Sequence, residues 1–196
     1  LFYRFASISY SRIGKYKKSV LYGEKTTKYG TQLYERIYLA QALDDLGNYY
    51  QNLGNYAKAI DSDKQALEIY YEEVDDSYTI ARVAHNIGRS YLELAYTGVE
   101  QKDNYGHAAK YYEIAYNNGY WDVHKDLSDI FMDDALDIIL YYLSNLLQEE
   151  AAIDAMLYWS EVGTKVATDN ELYEARAMFA LVIGVSLARI VPINAI

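Results

Sequence analysis

Arg82, His85, Asn86 and Arg89 are spaced by three and four residues, so they share one side of a helix. Two guanidinium groups, an amide and an imidazole on one strip make a surface rich in hydrogen-bond donors. Such a surface suits carboxylates or phosphates, which Arg reads bidentately. The matching strip one period earlier holds Gln41, Asp44, Asp45 and Asn48 and mixes acceptors with donors. Asn48 and Asn86 are suited to gripping the backbone of an extended peptide. This pattern is one of recognition, and no catalytic signature stands beside it. The chain has no Gly-x-x-x-x-Gly-Lys-Ser/Thr phosphate loop, no Gly-x-Gly-x-x-Gly, no Gly-x-Ser-x-Gly and no His-Glu-x-x-His. The stretch Gly23-Glu24-Lys25-Thr26-Thr27 has the Lys and Thr of a phosphate loop without its glycine spacing.

The other reactive residue types read as structure. His85, His107 and His124 fall in different expected helices and share no ligand spacing, so neither a metal nor a cofactor is expected. There is no Cys, which excludes a disulfide scaffold, thiolate metal sites and a Cys nucleophile within this chain. The acidic pairs Glu72-Glu73, Asp75-Asp76, Asp133-Asp134 and Glu149-Glu150 sit near expected helix ends, and the helix dipole accounts for most of them. Tyr occurs 24 times, mostly where a helix pair needs a large amphipathic packer: Tyr50, Tyr56, Tyr91, Tyr105 and Tyr112. Tyr70-Tyr71 and Tyr141-Tyr142 fit that role less well. A catalytic activity is not expected.

The elements that carry the two strips repeat. Leu43-x-x-Leu46-Gly47-x-x-Tyr50-x-x-Leu53-Gly54-x-Tyr56-x-x-Ala59 is matched by Val83-Ala84-x-x-Ile87-Gly88-x-x-Tyr91, with Gly47 and Gly88 41 residues apart. The second copy resumes at Asn104-Tyr105-x-x-Ala108 after an insertion at 96–103. Upstream, Tyr10-x-x-Ile13-Gly14-x-Tyr16-x-x-Ser19 matches Tyr50 to Ala59 at a shift of 40. In each copy apolar residues recur by three and four, which predicts a helix. Leu43, Leu46, Tyr50 and Leu53 form one such stripe. Gly54-Asn55 closes the first helix and opens a turn. A second helix follows with Tyr56, Ala59, Ile60, Ala66, Leu67 and Tyr70. Asp75-Asp76-Ser77 supplies an N-cap for the next helix. A single Pro and 11 Gly in 196 residues agree with a helical chain.

These residues resemble the tetratricopeptide repeat, through Leu43, Leu46-Gly47, Tyr50, Gly54-x-Tyr56, Ala59 and Ala66. They do so again through Ile87-Gly88, Tyr91, Tyr105, Ala108, Tyr112 and Ala115. The long period and the Asp75–Thr79 lead-in are similar to the variant of kinesin light chains and bacterial regulators. Asp63 departs from the pattern, standing where a large aromatic is usual. The resemblance implies an all-α fold, a right-handed superhelix of antiparallel helix pairs. We expect one solenoid over 1–196: a partial first repeat at 1–31, repeats at 32–74 and 75–118, a degenerate repeat at 119–168 and a terminal helix at 169–196. The opening Leu1-Phe2-Tyr3-Arg4 without Met leads us to expect a fragment of a larger protein.

The resemblance also implies where the strips face, because the first helix of each pair lines the concave side. Gln41, Asp44, Asp45, Asn48, Arg82, His85, Asn86 and Arg89 are therefore the expected partner-binding residues. The implied function is a non-catalytic protein–protein interaction module holding a peptide or protein segment in the groove. The alternative is the sensor or regulatory segment of a larger signalling protein: a peptide-responsive regulator, an NTPase or a protease.

Charge adds a second candidate surface. Residues 1–36 hold eight Lys/Arg against two Asp/Glu, a net of +6, whereas the remaining ten Lys/Arg face 26 acids, a net of −16. The acidic total argues against nucleic-acid binding, but Arg12, Lys15, Lys17 and Lys18 could meet an anionic partner. No stretch supplies the roughly 18 consecutive apolar residues of a membrane span, Ala177–Val191 coming nearest before Arg189 interrupts it, so no membrane partner and a cytoplasmic location are expected. The apolar terminal helix, with no partner helix after it, is either a buried cap or a surface for contact with another subunit or the parent protein.

Overall fold

The computed structural model divides into two compact units, 1–120 and 121–196. It describes residues 2–30, 36–74 and 76–119 of the first, and 157, 158, 160, 161, 163–165, 168 and 180 of the second. Six helices make up the first unit. They are α1 (Phe2–Arg12), α2 (Tyr16–Gly30), α3 (Arg36–Asn52), α4 (Tyr56–Glu73), α5 (Ser77–Tyr96) and α6 (Gln101–Asn117). No strand occurs among the described residues.

Local chemistry sets the turns. Gly14 and Gly54 take φ of +69° and +72° at the same point of the first two hairpins, a conformation that costs glycine least. The amides of Lys15 and Asn55 then reach back to the carbonyls of Tyr10 and Tyr50, both at 2.9 Å, closing each helix in the same way. Asn55 caps α4 through its side chain, which accepts from the Lys58 amide. Asp76 caps α5, accepting from the Tyr78 amide at 3.2 Å and the Thr79 hydroxyl at 2.5 Å.

Each helix packs chiefly on its sequence neighbours; in addition α1 touches α3 and α3 touches α5. No comparable contact joins α2, α4 and α6. The first helices of the pairs therefore lie on the inside of the curve, and the second helices on the outside.

The core runs between the helices of each pair. Fully buried Ala59, Ala66, Ala81, Ala84, Ala108 and Ala115 allow close approach, while Tyr50, Tyr70, Tyr91, Tyr105 and Tyr112 fill the wider gaps. Gly88 shows why glycine recurs: a Cβ there would meet the Tyr112 ring at 2.9 Å and the Ala108 carbonyl at 3.3 Å. The same position of the second pair is Gly47, faced by Asp63 instead of an aromatic; a Cβ at Gly47 would overlap the Asp63 carboxylate. In the first pair the equivalent residues are Ser7 and Gly23. There Leu46 and Tyr49 of α3 take the space, and the Tyr49 hydroxyl donates to Ser7 Oγ at 3.4 Å.

Some sequence expectations are corrected here. Leu53 falls just outside α3 and is exposed, because the chain has already turned toward Gly54. Tyr71 is also exposed, while its neighbour Tyr70 is buried. Glu72 and Glu73 end α4 rather than begin a helix, so the dipole does not favour them; both pair with Arg36 at the start of α3. The inserted residues lengthen a hairpin. α5 runs five residues beyond Tyr91 where α3 runs two beyond Tyr50, and α6 begins four residues before Tyr105 where α4 begins at Tyr56.

In the second unit the described residues are helical. Thr164 and Thr168 donate to carbonyls four residues back, each at 2.7 Å, and Ser160 is buried. The expected helix over 169–196, the acidic pairs Asp133-Asp134 and Glu149-Glu150, Tyr141-Tyr142 and His124 lie outside the described residues, Ala180 excepted.

Candidate partner-binding groove

The inner helices place five of the eight expected residues around one pocket. Gln41, Asp44, Asp45 and Asn48 of α3 and Arg82 of α5 line an opening of about 500 Å³. Arg4 of α1, Ile37 of α3, Tyr70 and Val74 at the end of α4, and Asp76 and Thr79 at the start of α5 complete it.

The groove is laced by charge. Arg4 Nε donates to Asp45 at 3.0 Å and its Nη1 to Gln41 at 3.2 Å. Arg82 grips Asp44 with two hydrogen bonds of 3.1 and 2.5 Å. Asn86 Nδ2 donates to Asn48 Oδ1 at 3.4 Å. Gln51 Nε2 donates to the Asn86 carbonyl at 3.2 Å and to Ser90 Oγ at 2.9 Å. The polar strips of α1, α3 and α5 thus bind one another across the repeats.

This pairing changes the expected chemistry. Arg82 is engaged with Asp44 and does not stand open to an incoming carboxylate. Burial works against its charge, but the hydrogen bonds and charge of Asp44 outweigh it and push its pKa up. Burial raises the Asp45 carboxyl, opposed by Arg4 and assisted by Asp44. Burial, then the charge of Asp44, pushes the Tyr70 hydroxyl up to about 12, so it stays a neutral donor. Among the charged lining residues, Arg4 and Arg82 face Asp44, Asp45 and Asp76. The surface is an acceptor-rich one.

The remaining expected residues stand apart from the pocket. His85 is buried, its ring 5.5 Å from that of Tyr112, because its side of α5 turns toward α6. Asn86 joins the ladder beyond the pocket, next to Asn48. Arg89 is exposed and acts electrostatically on Tyr56 of α4. Arg4 and Tyr70 were not anticipated. A signal for Arg4 existed: it precedes Asp45 by 41 residues, as Asp44 precedes Arg82 by 38, so opposite charges recur one period apart.

Asp63 lies beneath this ladder. It is 1% exposed, and neither carboxylate oxygen has a hydrogen-bond partner. Burial pushes its pKa well above the ordinary carboxylate range; Asp44 adds to the shift and Arg82 opposes it. Among the described residues no group of His, Asp and Glu is arranged to hold a metal ion.

Residues 38–96, spanning α3 and α5 with α4 between them, match the family model described as Tetratricopeptide repeat. This segment is a tetratricopeptide repeat array. The fold is similar to that of a solved protein from Podosopora anserina, described as a putative kinesin light chain with nearly identical TPR-like repeats. The identity is 10%, the match covers 95% of this chain and 94% of that one, and the TM-score is 0.51. A form of that protein with a single Gln-to-Met substitution gives 10% identity, coverage of 95% and 93%, and a TM-score of 0.52. No curated protein matches the sequence. Tetratricopeptide repeats generally serve as protein–protein interaction modules, and their stacked helix pairs present extended concave surfaces. No helix among the described residues is long and apolar enough to cross a membrane.

Proposed function

We propose that this chain is a non-catalytic interaction module that binds a segment of a partner protein in the groove formed by α1, α3 and α5. The observation that carries the reading is the pocket of about 500 Å³, which gathers residues from all three inner helices and from the end of α4. Its chemistry favours a basic segment over an acidic one. Both guanidinium groups already serve Asp44 and Asp45, leaving carboxylate and amide oxygens to accept from backbone N–H groups and from Lys or Arg of the partner. The family's usual role as a scaffold agrees with the absence of catalytic motifs from the sequence.

The test is capture of a partner from source lysate by the wild-type chain and by Gln41→Trp, with circular dichroism confirming that both are folded. Gln41 lines the pocket and is half-buried, so an indole there fills the opening without breaking the Arg82–Asp44 pair. A partner held by wild type and lost by the folded variant supports the groove. Equal capture by both refutes it.

A further inference from the structure

Two of the three helix pairs stack a pair of tyrosines at the same place, and the middle pair lacks one of the two rings. In the first pair Tyr22 of α2 lies on Tyr10 of α1, with centroids 5.5 Å apart and planes 13° from parallel. In the third pair Tyr111 of α6 lies on Tyr91 of α5 at 5.9 Å and 17°. The equivalent of Tyr10 and Tyr91 in the middle pair is Tyr50 of α3. The equivalent of Tyr22 and Tyr111 is Ser62 of α4, since the three follow Tyr16, Tyr105 and Tyr56 by the same interval. The rest of the arrangement is kept. Lys18 lies 5.2 Å over the Tyr10 ring, Lys58 lies 5.2 Å over that of Tyr50, and the His107 ring stands 4.8 Å from that of Tyr91. Among the described residues no ring stacks on Tyr50.

The missing ring leaves a cleft of about 420 Å³ between α2 and α4. Leu43, Leu46 and Tyr50 of α3 form its floor, Lys58 and Ser62 of α4 one wall and Thr27 of α2 the other. Protein interiors are ordinarily filled, and an opening of this size with an apolar floor suits a small ligand. By helical spacing the floor lies on the opposite side of α3 from Gln41, Asp44, Asp45 and Asn48, so the cleft is separate from the groove. The third pair shows what polar group meets the ring. There Lys64 of α4 donates to the Tyr91 hydroxyl at 2.7 Å and interacts with that of Tyr111 as well. One period earlier the place of Lys64 is held by Glu24 of α2, which accepts from the Tyr50 hydroxyl at 2.5 Å. A carboxylate in that place accepts, so a ring lying where Tyr111 lies must bring a donor.

We propose that the cleft between α2 and α4 binds a small phenol, its ring stacked on Tyr50 in the space over Ser62 and its hydroxyl donating to Glu24. The ring takes the place that Tyr22 and Tyr111 fill in the neighbouring pairs, and Leu43 and Leu46 receive its apolar edge.

The probe is p-cresol, the tyrosine side chain as a free molecule, titrated into the full chain and followed by amide chemical shifts in nitrogen-15 NMR. Saturable shifts are expected at Tyr50 and Ser62 and none at Gln41 and Asn48. Toluene, which lacks the hydroxyl, should bind about tenfold more weakly. Ser62→Tyr, which builds in the ring of the other two pairs, should abolish binding, whereas Gln41→Trp should leave it unaltered. Absence of saturable shifts, shifts confined to the groove, equal affinity for toluene, or undiminished binding by a folded Ser62→Tyr chain each overturns the proposal. If Ser62→Tyr does not fold, the wild-type shift map and the toluene comparison decide alone. A blocked Gly-Tyr-Gly peptide that binds the cleft more tightly than p-cresol also overturns it, since the ring then belongs to a partner protein.

Discussion

Asp63→Asn should make the chain more stable, and by an amount that depends on pH. Asp63 is buried with both oxygens unpaired, and burial holds its pKa above that of the unfolded chain. The sign follows from proton counting. Well below about pH 4, the ordinary Asp value, folded and unfolded chains both carry the proton and the carboxyl exacts no ionic penalty. As pH rises the unfolded chain releases its proton while the folded one keeps it. Stability then falls by about 1.4 kcal/mol for each pH unit, until the folded-state value is passed and the penalty becomes constant. The amide of the variant does not titrate. Left unpaired, it costs about as much as a neutral carboxyl, roughly 1–3 kcal/mol in either chain. Urea unfolding of both proteins at pH 5, 6, 7 and 8, followed by circular dichroism, therefore gives curves that diverge with rising pH. Other carboxylates, Asp45 among them, contribute to both chains and largely cancel. Parallel curves would refute the reasoning, since Asp63 would then hold the same protonation folded and unfolded.

Four further substitutions probe the packing and the ladder. Arg82→Ala strands the Asp44 carboxylate, whose side chain is 8% exposed, and should cost about 2–3 kcal/mol by urea titration. Arg36→Ala, at a solvent-exposed pair, should leave the midpoint unchanged. Gly88→Ala drives a methyl into the Tyr112 ring and the Ala108 carbonyl and should lower stability by about 1–3 kcal/mol in a thermal melt. Ala59→Trp, at a fully buried helix contact, should overpack the second pair by at least about 1–3 kcal/mol, and an unchanged melting temperature would contradict the repeat alignment.

The helix pairs were legible because their signals are local. Gly54, Asn55 and Asp76 fix turns and caps within a few residues, and the three-four spacing of Leu43, Leu46 and Tyr50 marks a buried side within one helix. The groove was half legible for the opposite reason. Which polar residues remain open depends on partners one repeat away, so Arg82 read as a free donor until Asp44 lay beside it. His85 shared helical spacing with Arg82, yet it lies on the side of α5 that packs on α6 and is buried against Tyr112. Asp63 was visible as a departure from the repeat pattern. That it would be both buried and unpaired required Gly47 to bring the backbone of α3 against it.

The lengthened third hairpin has a practical consequence. Its extra turns project beyond the level at which Gly88 meets Tyr112, and the tip carries Gly98 at φ +80° and Val99, 62% exposed. Repeats hold only their neighbours, so length added at a hairpin end leaves the stacking beneath it undisturbed. The turn at Gly98 is thus a natural graft point: a fluorophore, an epitope or a second binding module could be spliced in there without altering the groove.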